Sequence, residues 1–414
     1  MSIPVPAKYI ADFENLGFGM FVHWGLYSQM QQGEWVFFNK KLNMDEYKKL
    51  AETFTAEDFD AEELVRTAKD AGCKYIVLTT RHHEGFSLYD TCGLSEFDVM
   101  HTPCGRDLIK EYVEACRKYD IVPFFYHTTL DWYQKSFEED FDAYLDYLNS
   151  SVEILCKNYG KIGGLWFDGN WSKPGADWKE DRLYATIRKY QPEAMIINNT
   201  GLYARGRAGH PELDSVTFEQ GRPKPMNREG MPKYLAAEMC ETINDHWGTG
   251  FCDLNCKSPA TLLESLCFSR RAGANYLLNI GPGPQGAVDP YQRELLKLIG
   301  RWMSFFGEAV YKGRPYAVSA MGDHFILKGE NKLYIFCINP ANLENENVMV
   351  NGGGGGCIAF DGVKDAVEEI RWMDNGEVLD FAQQNGMLSV RFTKQRSGVS
   401  FCIRVAEAKL KGCD

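Results

Sequence analysis

The chain has no long apolar run, no excess of positive charge, no basic leader and no cysteine framework. Each absence removes a class of protein. No stretch approaches the ~20 apolar residues that span a bilayer. Net charge is −12, which disfavours nucleic acid and an anionic membrane as partners. The opening MSIPVPAKYIADFENL lacks both the basic segment and the apolar core of a secretory signal, so the expected location is the cytoplasm. The 13 cysteines are odd in number and scattered. Most, such as Cys73, Cys116, Cys156, Cys337 and Cys402, lie in apolar segments, as reduced buried thiols do. Only Cys252 and Cys256 are close, and no second pair follows at zinc-site spacing. No metal or cofactor is expected. HWGLYSQ, after the first strand, is no glycine-rich phosphate loop. The run GGGGG at 352–356 reads as a loop, because no helix with Lys and Ser or Thr follows it.

What is present is 414 residues, 44% apolar and 25% charged, a soluble globular composition of two-domain length. The first three-quarters alternates strand and helix. Asp60 and Glu63 cap a helix over 61–71, whose Leu64, Val65, Ala68 and Ala71 share a face and which Gly72 stops. KYIVLTT follows without polar alternation, as in strands buried on both faces. Helices over 106–118, 137–159, 177–190 and 260–272 lead into IVPFFYHTT, GGLWFD, AMIINNT and YLLNIGP. With FGMFVHWG, SVTFEQG and LAAEMCE, the expected strands number eight, and the links around the sixth and seventh are the least regular. This predicts a (β/α)8 TIM-like barrel over 1–312. From 313 to 414 the period changes to two. HFILKGENKLYIFCIN reads as a hairpin, MLSVRF and SGVSFCIRV as antiparallel strands, and Asp374-Asn375-Gly376 as a turn. A C-terminal antiparallel β-sandwich is expected there.

Barrel active sites lie at the C-terminal strand ends. Those ends carry His23, then His82 and His83, His127, Asp168, Asn198 with Asn199, Glu219, Glu238 and Asn279. Any one of them could be a satisfied strand-end residue, but all eight ends are polar, which marks a site. Asp168 and Glu219, at the fourth and sixth ends, could form the carboxyl pair of a glycosidase at a spacing near ~5.5 Å. Trp24, Trp35, Trp132, Trp166, Trp171 and Trp247, of nine Trp in all, lie at or after these ends. Aromatic faces stack on sugar rings, and uncharged His and Asn bind hydroxyls. A metal-dependent barrel hydrolase is one alternative, although the first strand ends His23-Trp24-Gly25 without a His-x-His pair. A non-catalytic carbohydrate-binding barrel is another, and it would leave both acids idle.

FGMFVHWG, GEWVFF, TTRHHEGFSLYD, YHTTLDW, GLWFDGNW, AEMCETINDHWG and LLNIGPGPQG resemble, in order, the motifs of the α-L-fucosidases of glycoside hydrolase family 29, over about residues 15 to 310. The resemblance implies a retaining exo-α-L-fucosidase that acts through a covalent fucosyl-enzyme. Asp168 matches the nucleophile, held as an anion by His and Trp N–H donors. His23, His82, His83 and Trp35 match positions that bind fucose hydroxyls, with Glu34 beside them, and His127 matches a polar position. Phe37, Trp171 and Trp247 are candidates for the niche of the sugar's methyl. Glu219 matches the best-supported acid/base, with Glu238 and Glu241 as alternatives. Some members place an Arg after the fifth strand where this chain has Thr200, and Arg205, Arg207 and Arg222 could substitute for it. The implied partner is a fucosylated glycan, and a homo-oligomer stays open.

Overall fold

The computed structural model describes residues 2–199, 206–338, 356–392 and 403–412. Short runs of β-branched and aromatic residues, apolar on both faces, form β1 (Phe18–Val22), β2 (Tyr75–Arg81), β3 (Val122–Thr128), β4 (Gly164–Asp168), β5 (Met195–Asn198), β6 (Ser215–Glu219), β7 (Ala236–Thr242) and β8 (Asn275–Ile280). They close into a parallel barrel in sequence order. Phe18 opposite Tyr276 and Val22 opposite Ile280 seal the last seam. The expected eight strands are therefore all present. The alternation is incomplete, because residues 220–235 between β6 and β7 hold no helix.

Period two along each strand sorts the side chains. On β4, Trp166 joins the cluster inside the barrel, with Phe21, Tyr126 and Cys240. Its neighbours Leu165 and Phe167 pack outward against the helical layer, with Tyr184 and Ile187. The helices start where polar side chains satisfy their free N–H groups. Asp60 accepts from Glu62 and Glu63 and starts Ala61–Asp70. Gly72, at φ 86°, turns the chain after it. Asp107 caps Leu108–Tyr119, two residues later than the sequence suggests. The helix expected over 137–159 is two helices, because Asp140 leaves helical geometry to cap Phe141–Asn158.

After the long helix Pro290–Lys312 come two antiparallel sheets. One holds Ser319–Ala320, Cys357–Asp361, Met387–Arg391 and Asp380–Gln384. The other holds Val367–Trp372, Ile403–Leu410, Lys332–Ile338, Phe325–Lys328 and Arg314–Pro315. The hairpin expected around 329–331 pairs Phe325 with Phe336. Ile335, Cys337, Phe360, Leu388 and Val390 build a core shared by both sheets. The other face of the larger sheet, through Phe336 and Val405, belongs to the main core with Trp302 and Phe306. The Trp302 indole N–H donates to the Ile403 carbonyl at 2.9 Å. Residues 397–402 of the expected final strand, and Gly352–Gly355 of the glycine run, lie outside the described residues. No helix of the described residues is long and apolar enough to cross a membrane.

Candidate active site

The C-terminal end of the barrel holds a pocket lined by His23, Trp35, His82, His83, Tyr126, Trp166, Asp168, Trp171, Asn199, Glu219 and Trp247, with Phe21 and Cys240 at its wall.

Asp168 is central. It ends β4 on the inward side, two residues after Trp166, and pairs in register with Thr128 of β3. Gly169, at φ 122° and with Leu130 backbone N 2.5 Å from where a Cβ would stand, turns the chain away at once. Trp171, brought back by that turn, donates its indole N–H to Asp168 Oδ1 at 2.9 Å. The Tyr126 hydroxyl donates to Oδ2 at 3.2 Å, and His83 Nε2 lies 3.5 Å from the same oxygen. Burial pushes the carboxyl up, but the contacts with His83, Trp171 and Tyr126 outweigh it and hold Asp168 below its ordinary value. The site keeps an anion there.

Glu219 ends β6 on the inward side. Asn199 spans the two acids, with its Nδ2 donating to Glu219 Oε2 at 2.8 Å and lying 3.5 Å from Asp168 Oδ1. Those two distances together cap the gap between the oxygens, and the cap lies below the roughly 6.5–9.5 Å of inverting carboxyl pairs. Thr217 donates to Asn199 Oδ1 at 3.0 Å, which orients the amide.

The histidines are organised by their partners. His23 Nδ1 donates to Asn279 Oδ1 at 2.6 Å, and the Asn279 amide donates to the Trp247 carbonyl at 2.7 Å. Burial pushes His23 down to about 3, against the Asn279 bond. The ring is therefore neutral and leaves Nε2 as a bare acceptor. Burial also drives His82 well below its ordinary value, helped by His83 and His23. The His83 and His82 ring centres lie 4.2 Å apart, with the rings tilted by 43°. His83 Nδ1 contacts Thr128 Oγ1 at 2.7 Å, and that hydroxyl donates to the Leu130 carbonyl.

Four expected site residues lie elsewhere, His127 and Glu241 because of strand parity. His127 faces out of β3 and is buried between Thr80 and Ser151, at 2.8 and 3.0 Å. Glu241 faces out of β7, accepts from the Tyr276 hydroxyl at 2.6 Å and lies 3.8 Å from Lys257 Nζ. Glu238 faces in but sits one layer below the cavity, where Tyr75 donates to it at 2.5 Å and Trp166 at 2.8 Å. Glu34 is buried beside the cavity wall and accepts from the Gly248 N–H at 2.8 Å. It thereby pins the loop that carries Trp247. Of the expected aromatics, Trp24 stacks on Phe59 outside the barrel, and Phe37 packs on Trp132 and Tyr47 rather than lining the cavity. Arg222 stacks over Phe268 and faces Asp323 of the C-terminal sheets at 3.7 Å, and Arg207 is exposed. Thr200 and Arg205 lie outside the described residues. Among the described residues no group of three or more His, Cys, Asp or Glu is placed to hold a metal ion.

Tyr126 was not expected in the site. The signal was its spacing, since it stands two residues before Thr128, which pairs with Asp168. Cys240, two residues beyond Glu238, follows the same parity.

Residues 5–308 match the family model for α-L-fucosidase. Tissue α-L-fucosidase of Bos taurus is 28% identical over 349 residues, 77% of this chain and 71% of that protein. The structure of α-L-fucosidase isoenzyme 1 from Paenibacillus thiaminolyticus superposes with a TM-score of 0.84 at 30% identity, covering 98% of this chain and 99% of that one. A trapped covalent intermediate of the family 29 α-L-fucosidase from Bacteroides thetaiotaomicron superposes with a TM-score of 0.83 at 22% identity, over 100% and 98% of the two chains.

Proposed function

The chain belongs to the α-L-fucosidase family of glycoside hydrolases, and from that premise we propose that it releases terminal α-L-fucose from fucosylated oligosaccharides or glycoconjugates with retention at the anomeric carbon. The observation that carries this reading is the anionic Asp168, held by Tyr126, Trp171 and His83, with Glu219 on the same bridging amide.

In the first step a lone pair of Asp168 attacks the anomeric carbon. The bond to the leaving oxygen breaks, and Glu219 gives that oxygen its proton. A fucosyl ester of Asp168 results. In the second step Glu219 takes a proton from water, the water oxygen attacks the anomeric carbon, and Asp168 leaves as the carboxylate. The trapped covalent intermediate of the Bacteroides thetaiotaomicron neighbour, formed with 2-fluoro-fucosyl fluoride in a Glu-to-Gln variant, supports the same two steps here. The neutral His23 and His82 and the amide of Asn199 supply hydrogen bonds for hydroxyls. Trp35, Trp171 and Trp247 supply apolar faces, and the last two are the remaining candidates for the niche of the sugar's methyl. The buried thiols of Cys73, Cys116, Cys156 and Cys337 support a reducing cytoplasm as the location. Cell fractionation that finds the protein outside the cell would contradict that.

The test is proton NMR of the first sugar released from an aryl α-L-fucoside and from fucosylated oligosaccharides. α-Fucose appearing first is expected. β-Fucose first would remove Asp168 as nucleophile, and no fucose from any donor would overturn the reading.

A further inference from the structure

Directly behind the cavity lies a buried carboxyl that the reaction does not use. Glu84 follows the two cavity histidines and is completely buried. Among the described residues neither of its oxygens has a side-chain hydrogen-bond partner, only its own and the Leu26 backbone N–H groups close by, and the Tyr47 hydroxyl and His82 Nδ1 have no partner. These groups are neighbours. Glu84 Oε2 lies 3.7 Å from His82 Nδ1. Its other oxygen sits 2.9 Å, and the Tyr27 ring 2.8 Å, from where a Cβ on Gly25 would stand, so a side chain there would press on both. The Tyr27 ring packs edge-on against His82 at 5.4 Å, and the Glu84 charge is felt at both tyrosines.

A buried carboxylate needs a cation or several donors. The nearby cation is engaged, since Arg81 Nε faces Asp131 at 3.8 Å and its other nitrogens donate to Tyr147 and Ser151. Burial pushes Glu84 up to about 8, although its own and the Leu26 backbone N–H groups and Arg81 act the other way and Asp131 adds to it. The group is therefore a neutral acid at neutral pH, with one O–H to give. The nearest unpartnered acceptor in a ring is His82 Nδ1, and rotation about the broad terminal torsion of Glu84 brings the two together.

We propose that Glu84 is a positioning residue for sugar binding: as the neutral acid it donates to His82 Nδ1, so that His82 presents Nε2–H to the cavity as a donor. This rests on the reading of the cavity as a sugar site. His23 presents a bare nitrogen, fixed by Asn279. The two rings then offer one acceptor and one donor, the pair that a sugar hydroxyl or two adjacent hydroxyls can use. When Glu84 ionises it can only accept, His82 must turn its proton to Nδ1, and the donor is lost.

The test combines nitrogen-15 NMR of the histidines in the full chain with kinetics on an aryl α-L-fucoside. His82, assigned by comparison with His82→Gln, is expected as the Nε2–H tautomer at pH 6 and as the Nδ1–H tautomer above the titration of Glu84. In Glu84→Gln the amide N–H replaces the acid, and the Nε2–H form persists at every pH. Glu84→Leu raises KM about tenfold or more with a smaller change in kcat. Glu84→Gln recovers most of that loss, and its KM stays flat where the wild-type KM climbs with pH. An Nδ1–H tautomer at pH 6, or equal behaviour of the Gln and Leu variants, overturns the proposal. Should Glu84→Leu fail to fold, the Gln variant and the tautomer still decide. If the wild-type protein hydrolyses no fucoside, the function is wrong, and the tautomer still decides the role of Glu84.

Discussion

Asp168 shows how single residues here are governed by their donors rather than by burial. An isolated carboxylate at this depth would be driven to its neutral form. Two donors and a close histidine from three chain segments reverse that: Trp171 just after the strand, Tyr126 on the neighbouring strand and His83 beyond β2. Asp168→Asn keeps the size and most of these contacts but removes the nucleophilic charge. It is expected to fold normally by circular dichroism and to lower kcat by on the order of 10³-fold or more, about 4 kcal/mol of transition-state stabilisation. Wild-type turnover in that variant would exclude the covalent step. The place of Asp168 at a strand end within a polar site was legible in GLWFDGNW. The contribution of Tyr126 was not, because a tyrosine in an apolar strand reads as core until its neighbour's register is known.

At the scale of elements, the strands are tied across the barrel interior by a second acid. Glu238 of β7 accepts from Tyr75 of β2 and from Trp166 of β4, and so supports the Trp166 floor of the cavity. Burial raises this carboxyl from 4.5 to about 7, and the Tyr75 and Trp166 bonds only partly oppose it. The folded protein thus holds this proton over a range in which the unfolded chain has released it. Stability falls as pH rises from about 4.5 to about 7, by on the order of 3 kcal/mol from this group. Glu238→Gln removes the titration. Thermal melts across that window should show a flatter dependence in the variant than in the wild type, and parallel curves would mean that Glu238 stays ionised. The two loops at the cavity wall are tied in a similar way, because Glu34 holds the Gly248 amide and Gly33 N–H donates to the Thr249 carbonyl at 3.0 Å. Nothing in GEWVFF or in NDHWG announces that these segments meet.

For the whole molecule, the helix Pro290–Lys312 joins barrel and C-terminal sheets into one packed body. Its Trp302 is fully buried, sits in the main core and reaches the backbone of the larger sheet. Trp302→Ala removes a large side chain from that junction and should cost about 3–5 kcal/mol. The expected result in a calorimetric scan is a lower melting temperature for the barrel and the sheets together. A separate early transition of the sheets alone would show that they fold independently of the barrel.

By itself the sequence determined the strand count, the polar strand ends, the change of period near residue 313 and the acid at the end of GLWFD. These are local features, set by side-chain chemistry and spacing along the chain. Only the tertiary structure decided which strand-end residues face the cavity. A strand alternates its sides, and which side is inside is settled when the barrel closes and the helices cover it. That is why His83 reaches Asp168 while His127 is buried against Ser151, and why Glu219 shares an amide with Asp168 while Glu238 lies a layer below and Glu241 points outward.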